Sequence, residues 1–355
     1  MTAAAPFGVY VHIPFCRAKC DYCAFATWTD RHHLTETYVD SMADDIRRAI
    51  GDGMPAATSV FVGGGTPSML PAELLTRLLA VIPVAPAAEV TVECNPDDVT
   101  PELMQAYVDG GVTRVSLGVQ SMAAHVLGSL GRSHDRRNVE RAVTAMRTAG
   151  LSSFNLDLIY GAAGETIADW AATVDAVLPF EPPHVSAYAL TIEPGTPLAA
   201  QPDRHPDEDD QADKYELVDS LLAAAGMDNY EISNWARPGH ECRHNLLYWR
   251  QQNYRGFGCA AHSHADGRRW WNVRTPDRYI ELVRAGEPVE AAGETLDTPT
   301  RQFERLELML RTREGVPTEA LDGEALPGLV ERHDDRWILT RRGRLMANAV
   351  SLHLR

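Results

Sequence analysis

Cysteine is scarce, with six residues in 355, too few for the disulfide framework on which small secreted folds rely. Basic residues are outnumbered, 33 Lys and Arg against 49 Asp and Glu, for a formal charge of -16. That balance excludes a surface that gathers nucleic acid by bulk attraction. No stretch approaches about 18 uninterrupted apolar residues, so no membrane-spanning helix is expected. The opening MTAAAPFGVYVHIPF has neither a basic leader nor a cleavable apolar segment. Solenoid repeats and low-complexity segments are absent too. Together these features predict a cytoplasmic protein with reduced thiols, whose only contact with a membrane would be peripheral.

What the chain does have is a repeated unit: a short β-rich run, a turn, then a helical pattern. Strands are predicted over 8–13, 59–63, 89–93, 114–119, 154–160 and 184–190. Helices over 34–50, 71–80, 101–109, 135–149 and 165–178 separate them. The near-continuous apolar runs read as a mostly parallel sheet covered by helices. Six such units favour a partial (β/α)6 TIM-like barrel, although a flat doubly wound sheet gives the same one-dimensional signal. The expected organisation is a barrel core over 1–200, a connecting segment over 201–271 and a small C-terminal domain over 272–355. Within it, 201–210 reads as a polar surface loop and about 207–225 as a helix. Further helices are expected at 276–285 and 299–311, and a hairpin turning at Asp334–Asp335 gives the last domain a winged-helix-like character.

Polar residues cluster where the predicted strands end: Cys16 after the first, Gly63–Thr66 after the second, Glu93, then Gln120, with Asp157 late in the fifth. A barrel gathers its ligand-binding groups at the C-terminal ends of its strands. The densest group is HIPFCRAKCDYC, which spaces Cys16, Cys20 and Cys23 as C-x3-C-x2-C. Three readings compete: small core residues, a zinc site, and an iron–sulfur cluster. Structural zinc wants four protein ligands and a spacing that begins C-x2-C. Three thiolates on one turning loop suit an iron–sulfur cube that keeps one iron open, the reading the spacing favours. The triple glycine in VGGGTPS (62–68) lets a ligand approach backbone closely, and without GK[ST] it is not an ATP-type phosphate loop.

YVHIPFCRAKCDYC resembles the signature of the radical S-adenosylmethionine (SAM) superfamily, in its coproporphyrinogen-dehydrogenase branch. The resemblance implies that the three cysteines hold a [4Fe–4S] cluster whose open iron binds SAM. It implies SAM contacts at Gly64, Gly65, Thr66, Glu93, Gln120, Arg132 and Asp157, with Glu93 and Asp157 accepting from hydroxyls and Arg132 gripping the carboxylate. Tyr10, Tyr22 and Ala189 would form walls around the cluster and adenine.

HECRH (240–244) formally fits a zinc-peptidase motif, but the Pro238–Gly239 turn before it opposes the required helix. YEISNWARPGHECRHNLLYW (230–249) and GFGCAAHSH (256–264) instead resemble the haem-chaperone family of the same branch, with Ala260 where that family more often has glycine. Haem iron accepts an imidazole, so His240, His244, His262 and His264 are the candidate haem residues, alongside the alternative that each is an ordinary loop or core histidine. Cys242 and Cys259 are either thiolate ligands or small buried residues. Phe25 stands where the dehydrogenase has a further cysteine, and only nine residues precede Tyr10, whereas the dehydrogenase carries a longer N-terminal segment. The expectation is a haem chaperone that serves respiratory and membrane enzymes, with a homodimer as one allowed state. Its alternative is an oxygen-independent coproporphyrinogen III dehydrogenase.

Overall fold

The computed structural model describes residues 5–355. Its first half alternates strand and helix: Phe7–Ile13 (β1), Thr35–Gly51 (α1), Ala57–Gly64 (β2), Ala72–Leu79 (α2), Val84–Cys94 (β3), Pro101–Asp109 (α3), Arg114–Gln120 (β4), Ala124–Ser129 (α4), Arg136–Thr148 (α5), Ser153–Tyr160 (β5), Ile167–Val177 (α6) and His184–Ala189 (β6). The helices begin where the sequence supplies caps. The Thr100 side chain accepts from the Leu103 amide with Pro101 in the first turn, and Asp135 and Thr166 each form a capping box.

β1 to β6 are all parallel and neighbour one another in chain order. The second half extends the sheet at both edges. Glu208–Ala224 (α7) leads into Asp228–Glu231 (β7) and Asn234–Ala236 (β8), which pair antiparallel beyond β6. Arg243–Trp249 (α8) is followed by Asn253–Phe257 (β9), parallel to β1, then by His262–Ala265 (β10) and Arg268–Asn272 (β11). Pro276–Ala285 (α9) precedes Glu290–Thr295 (β12), the outermost strand on that side. The sheet stays open between β12 and β7, so the sixfold βα repeat makes a partial barrel. Thr298–Leu310 (α10) then leads to a separate three-stranded sheet of Val316–Pro317 (β13), Val330–His333 (β14) and Arg336–Leu339 (β15), closed by Arg341–Leu345 (α11) and Ala347–Ser351 (α12). That winged-helix-like unit has its own core around Leu310, Val330, Trp337 and Val350.

One expectation changes. The strands are not apolar on both faces. Val9, Val11, Val60, Val62, Val92, Val115, Leu117, Leu156 and Val185 pack in the main core beneath the helices, while Arg114, Ser116, Asn155, His184 and Ser186 are buried on the inner face. Alternation in RVSLGVQ follows directly, with Arg114, Ser116, Gly118 and Gln120 inward and the valines and leucine outward. The 201–210 stretch is also more than a surface loop. Pro202–Arg204 forms a helical turn, and Arg204 donates to the Asp21 carboxylate at 2.9 Å and the Ser129 carbonyl at 2.5 Å.

Ala260 lies in the left-handed region at φ 56°, a conformation that costs a residue with a Cβ about 1–2 kcal/mol. Ala260→Gly should therefore stabilise the protein by about 0.5–1 kcal/mol after the added freedom of the unfolded chain is subtracted. Reversible denaturation is the measurement, and an unchanged or lowered midpoint would contradict it.

Candidate functional site

At the C-terminal end of β1 the chain turns into the cysteine loop. Its base is closed by Cys16 N–H to Trp28 O at 3.1 Å and Trp28 N–H to Pro14 O at 2.7 Å. Its middle is tied down by the Leu198 amide and Arg204 on Asp21, and its start by Arg17, 2.6 Å from Asp98. The three thiols are free and half-buried. Burial raises the pKa of Cys16 and Cys23; the Thr66 hydroxyl, 3.5 Å from the Cys16 sulfur, opposes the shift at Cys16, while neighbouring thiols reinforce both. Among the described residues no three His, Cys, Asp or Glu side chains close on a single ion.

The glycine turn packs under that loop. The Gly65 amide donates to Ile13 O and the Thr66 amide to Phe15 O. Gly64 has φ 109° and a Cβ there would lie 2.4 Å from the His12 ring; one on Gly65 would lie 2.6 Å from Phe15 O. Only glycine fits both positions, because the turn packs directly on the His12 ring and on the backbone that leads into the cysteine loop. The Gly64 amide donates to Glu93 Oε2 at 3.1 Å. Burial, reinforced by the nearby Asp157 charge, raises the Glu93 pKa to about 8. Asp157 is raised by burial as well, against hydrogen bonds from Ser116 at 2.9 Å and Asn155 at 2.6 Å. These half-buried carboxylates form an acidic pair suited to a cationic or hydroxyl-rich ligand.

Arg132 reaches the same place. Its guanidinium donates to Asn95 Oδ1 at 2.6 Å and Gly118 O at 3.1 Å and lies 3.9 Å from the Cys20 sulfur. Gln120, at φ 63°, holds its amide on the same side of Gly118 as the Arg132 guanidinium. The Tyr10 hydroxyl lies 3.0 Å from His12 Nδ1, and its ring stacks on Phe61. Tyr22 packs against Val126, Leu130 and Leu198. Ala189 ends β6 exposed, in register with Tyr160. The structure thus gathers the sequence-predicted residues at one end of the parallel strands, with Ala189 at the rim.

A sequence model of the radical SAM superfamily matches residues 10–177. The heme chaperone HemW of Mycobacterium tuberculosis is 42% identical over 366 residues, covering 97% of this chain and 94% of that protein. Those of Escherichia coli K12 and Bacillus subtilis are 35% and 33% identical, covering 99% and 96% of this chain and 98% and 97% of theirs. The chain belongs to the HemW family. Escherichia coli coproporphyrinogen III oxidase (HemN), described as a radical SAM enzyme, shares the fold at a TM-score of 0.85 and 21% identity, over 98% of this chain and 89% of its own.

Of the two stretches carrying the resemblance to the haem chaperones, 230–249 does not sit at the mouth. α8 starts at Arg243, so His240 lies outside the helix, and the peptidase geometry is absent. His244 is 1% exposed, with Ser59 Oγ 2.9 Å from Nδ1 and Tyr248 OH 2.9 Å from Nε2. Its ring stacks on Phe61 and burial lowers its pKa to about 3. Glu89 accepts from the His244 amide at 3.2 Å and lies 3.6 Å from the Cys242 sulfur. Cys259 is buried against Tyr38 at 3.5 Å. The HNLLYW run therefore plugs the inner face behind the site.

Sequence reasoning missed the supporting residues: His12, whose Nε2 bonds Ala26 O at 2.9 Å; Asn95; and the Ser116–Asn155–Ser186 set that holds Asp157. Inward parity within the strands is the signal that could have found the last three.

Two predictions follow from these environments. His244→Ala removes the partner of two buried hydroxyls and should cost about 2–4 kcal/mol in denaturation experiments. Glu93 binds its proton more tightly folded than unfolded, so its contribution to stability is full below about pH 4.5 and fades as pH rises to about 8. Glu93→Gln should flatten that decline in a pH series of thermal midpoints, and an unchanged slope would contradict the assignment.

Proposed function

We propose that this chain binds haem and passes it to haem-dependent respiratory enzymes at the membrane surface, and that it carries a [4Fe–4S] cluster and SAM at the mouth of the partial barrel. The reading rests on its likeness, over nearly the whole length, to proteins named heme chaperones. No helix among the described residues is long and apolar enough to cross a membrane, so docking at that surface would be peripheral.

The residues present suit the cofactors. Cys16, Cys20 and Cys23 would ligate the cluster, with the Thr66 hydroxyl already directed at one sulfur. The Gly64–Gly65 backbone, which no Cβ could occupy, and Thr66 would take the SAM amino group, and Arg132 its carboxylate. Glu93 and Asp157 would accept from hydroxyls, with Gln120 beside them and Tyr10, Tyr22 and Ala189 as walls. When bound, the pair supplies one-electron reductive cleavage of a sulfonium. The half-buried acidic pair favours a cationic ligand, and such a ligand would lower the Glu93 pKa and release a proton on binding.

Phe25, two positions beyond Cys23 and 63% exposed, occupies the place of the further cysteine expected of the dehydrogenase. The deciding experiment uses reconstituted full-length protein. Haem should bind and move to an apo-form respiratory haem protein on mixing, whereas anaerobic incubation with SAM and coproporphyrinogen III should yield no protoporphyrinogen IX. Turnover to that product, or failure to bind haem, would overturn the reading.

A further inference from the structure

We propose that His262 is the axial ligand of the haem iron and that the outer extension of the sheet, at Trp271 and Ala292, is where the macrocycle rests; this builds on the haem-binding reading above.

An iron ligand needs an imidazole nitrogen with a free lone pair. Of the four histidines in the segment, His244 has its two ring nitrogens engaged in the core. His264, 6% exposed, donates from Nδ1 to Gln252 O at 2.9 Å and accepts at Nε2 from the Gly267 amide at 3.1 Å. His240 lies near enough to His184 to affect its charge, which places it by the start of β6, away from the cysteine loop. His262 is exposed, and no described residue hydrogen-bonds its ring. Its imidazole lies against Trp271, with ring centroids 5.6 Å apart and planes 28° apart.

The register puts this ring on the face that carries the site. Gly8 pairs with Tyr254, which pairs with His264, so two residues along Tyr10 pairs with Gly256 and His262 stands beside Gly256. His262 in turn pairs with Trp271, and Trp271 with Ala292. Counted from the His264–Tyr254 pair, the order across β1, β9, β10, β11 and β12 is Tyr10, Gly256, His262, Trp271, Ala292. At about 4.8 Å between strands this set spans roughly 19 Å. The chain at Ala261 and His262 folds over Gly256, where a Cβ would lie 2.1 Å from His262 O, and on the far side Ala292 is small and exposed. The imidazole thus stands on the outer, open part of the sheet with Trp271 and Ala292 beside it, flanked by the Arg269–Glu294 ion pair. Stacking on Trp271 limits rotation of the ring while leaving both of its nitrogens free of partners among the described residues. Partial burial and the Arg269 charge lower the His262 pKa, which favours the neutral ring that a metal requires.

The test is absorption titration of the full-length protein with ferric haem, followed by reduction. Wild type should show histidine-ligated bands. His262→Ala should weaken binding at least tenfold and lose those bands. His262→Met should keep haem with shifted bands and a raised reduction potential, and His240→Ala should match wild type. Wild-type bands in either His262 variant would overturn the assignment. Wild-type protein that binds no haem would instead remove the chaperone reading on which it stands.

Discussion

Glu93 and Asp157 share the inner face of a parallel sheet, half-buried and without a full counter-charge. Much of the site follows from making that pair tolerable. Ser116 and Asn155 donate to Asp157, the Gly64 amide donates to Glu93, and the Arg114 charge lies close enough to act on Asp157. A buried carboxylate left without such donors would cost several kcal/mol or give up its charge. The polar lining is therefore what allows an acidic site to exist at the centre of an otherwise apolar fold.

Much of the architecture was legible in the sequence because each strand is a short β-rich run bounded by turn residues and followed by a 3.6-periodic helix. The predicted strand over 114–119 became Arg114–Gln120, and the predicted helix over 101–109 became Pro101–Asp109. The inner lining was harder to read. Ser116, Asn155 and Ser186 are single small polar residues inside apolar runs, and their importance appears only when three strands bring them to one point. Arg204 was hidden for a related reason: a polar stretch scores as solvent-facing, and nothing local announces that one arginine reaches back to Asp21, 183 positions earlier.

The histidine-rich segment shows how a motif can mark a family without marking its chemistry. HNLLYW supports the resemblance, yet in the fold His244 and Tyr248 join Phe61 and Ser59 in packing. A residue can be required because it closes an interior as readily as because it meets a ligand. His262 and His264, two positions apart, divide by environment, one ring open to solvent and the other locked between two backbone groups.

The ties on Asp21 bear on when disorder is given up. With the Leu198 amide and Arg204 holding the middle of the cysteine loop and Trp28 its base, the backbone between Cys16 and Cys23 loses its conformational entropy as the chain folds. A metal centre that arrives later meets ligands already ordered, and its binding free energy is not drawn down by arranging them. The connector between the sixth strand and the next helix thereby acts at a distance on how tightly the opposite loop can hold its charge.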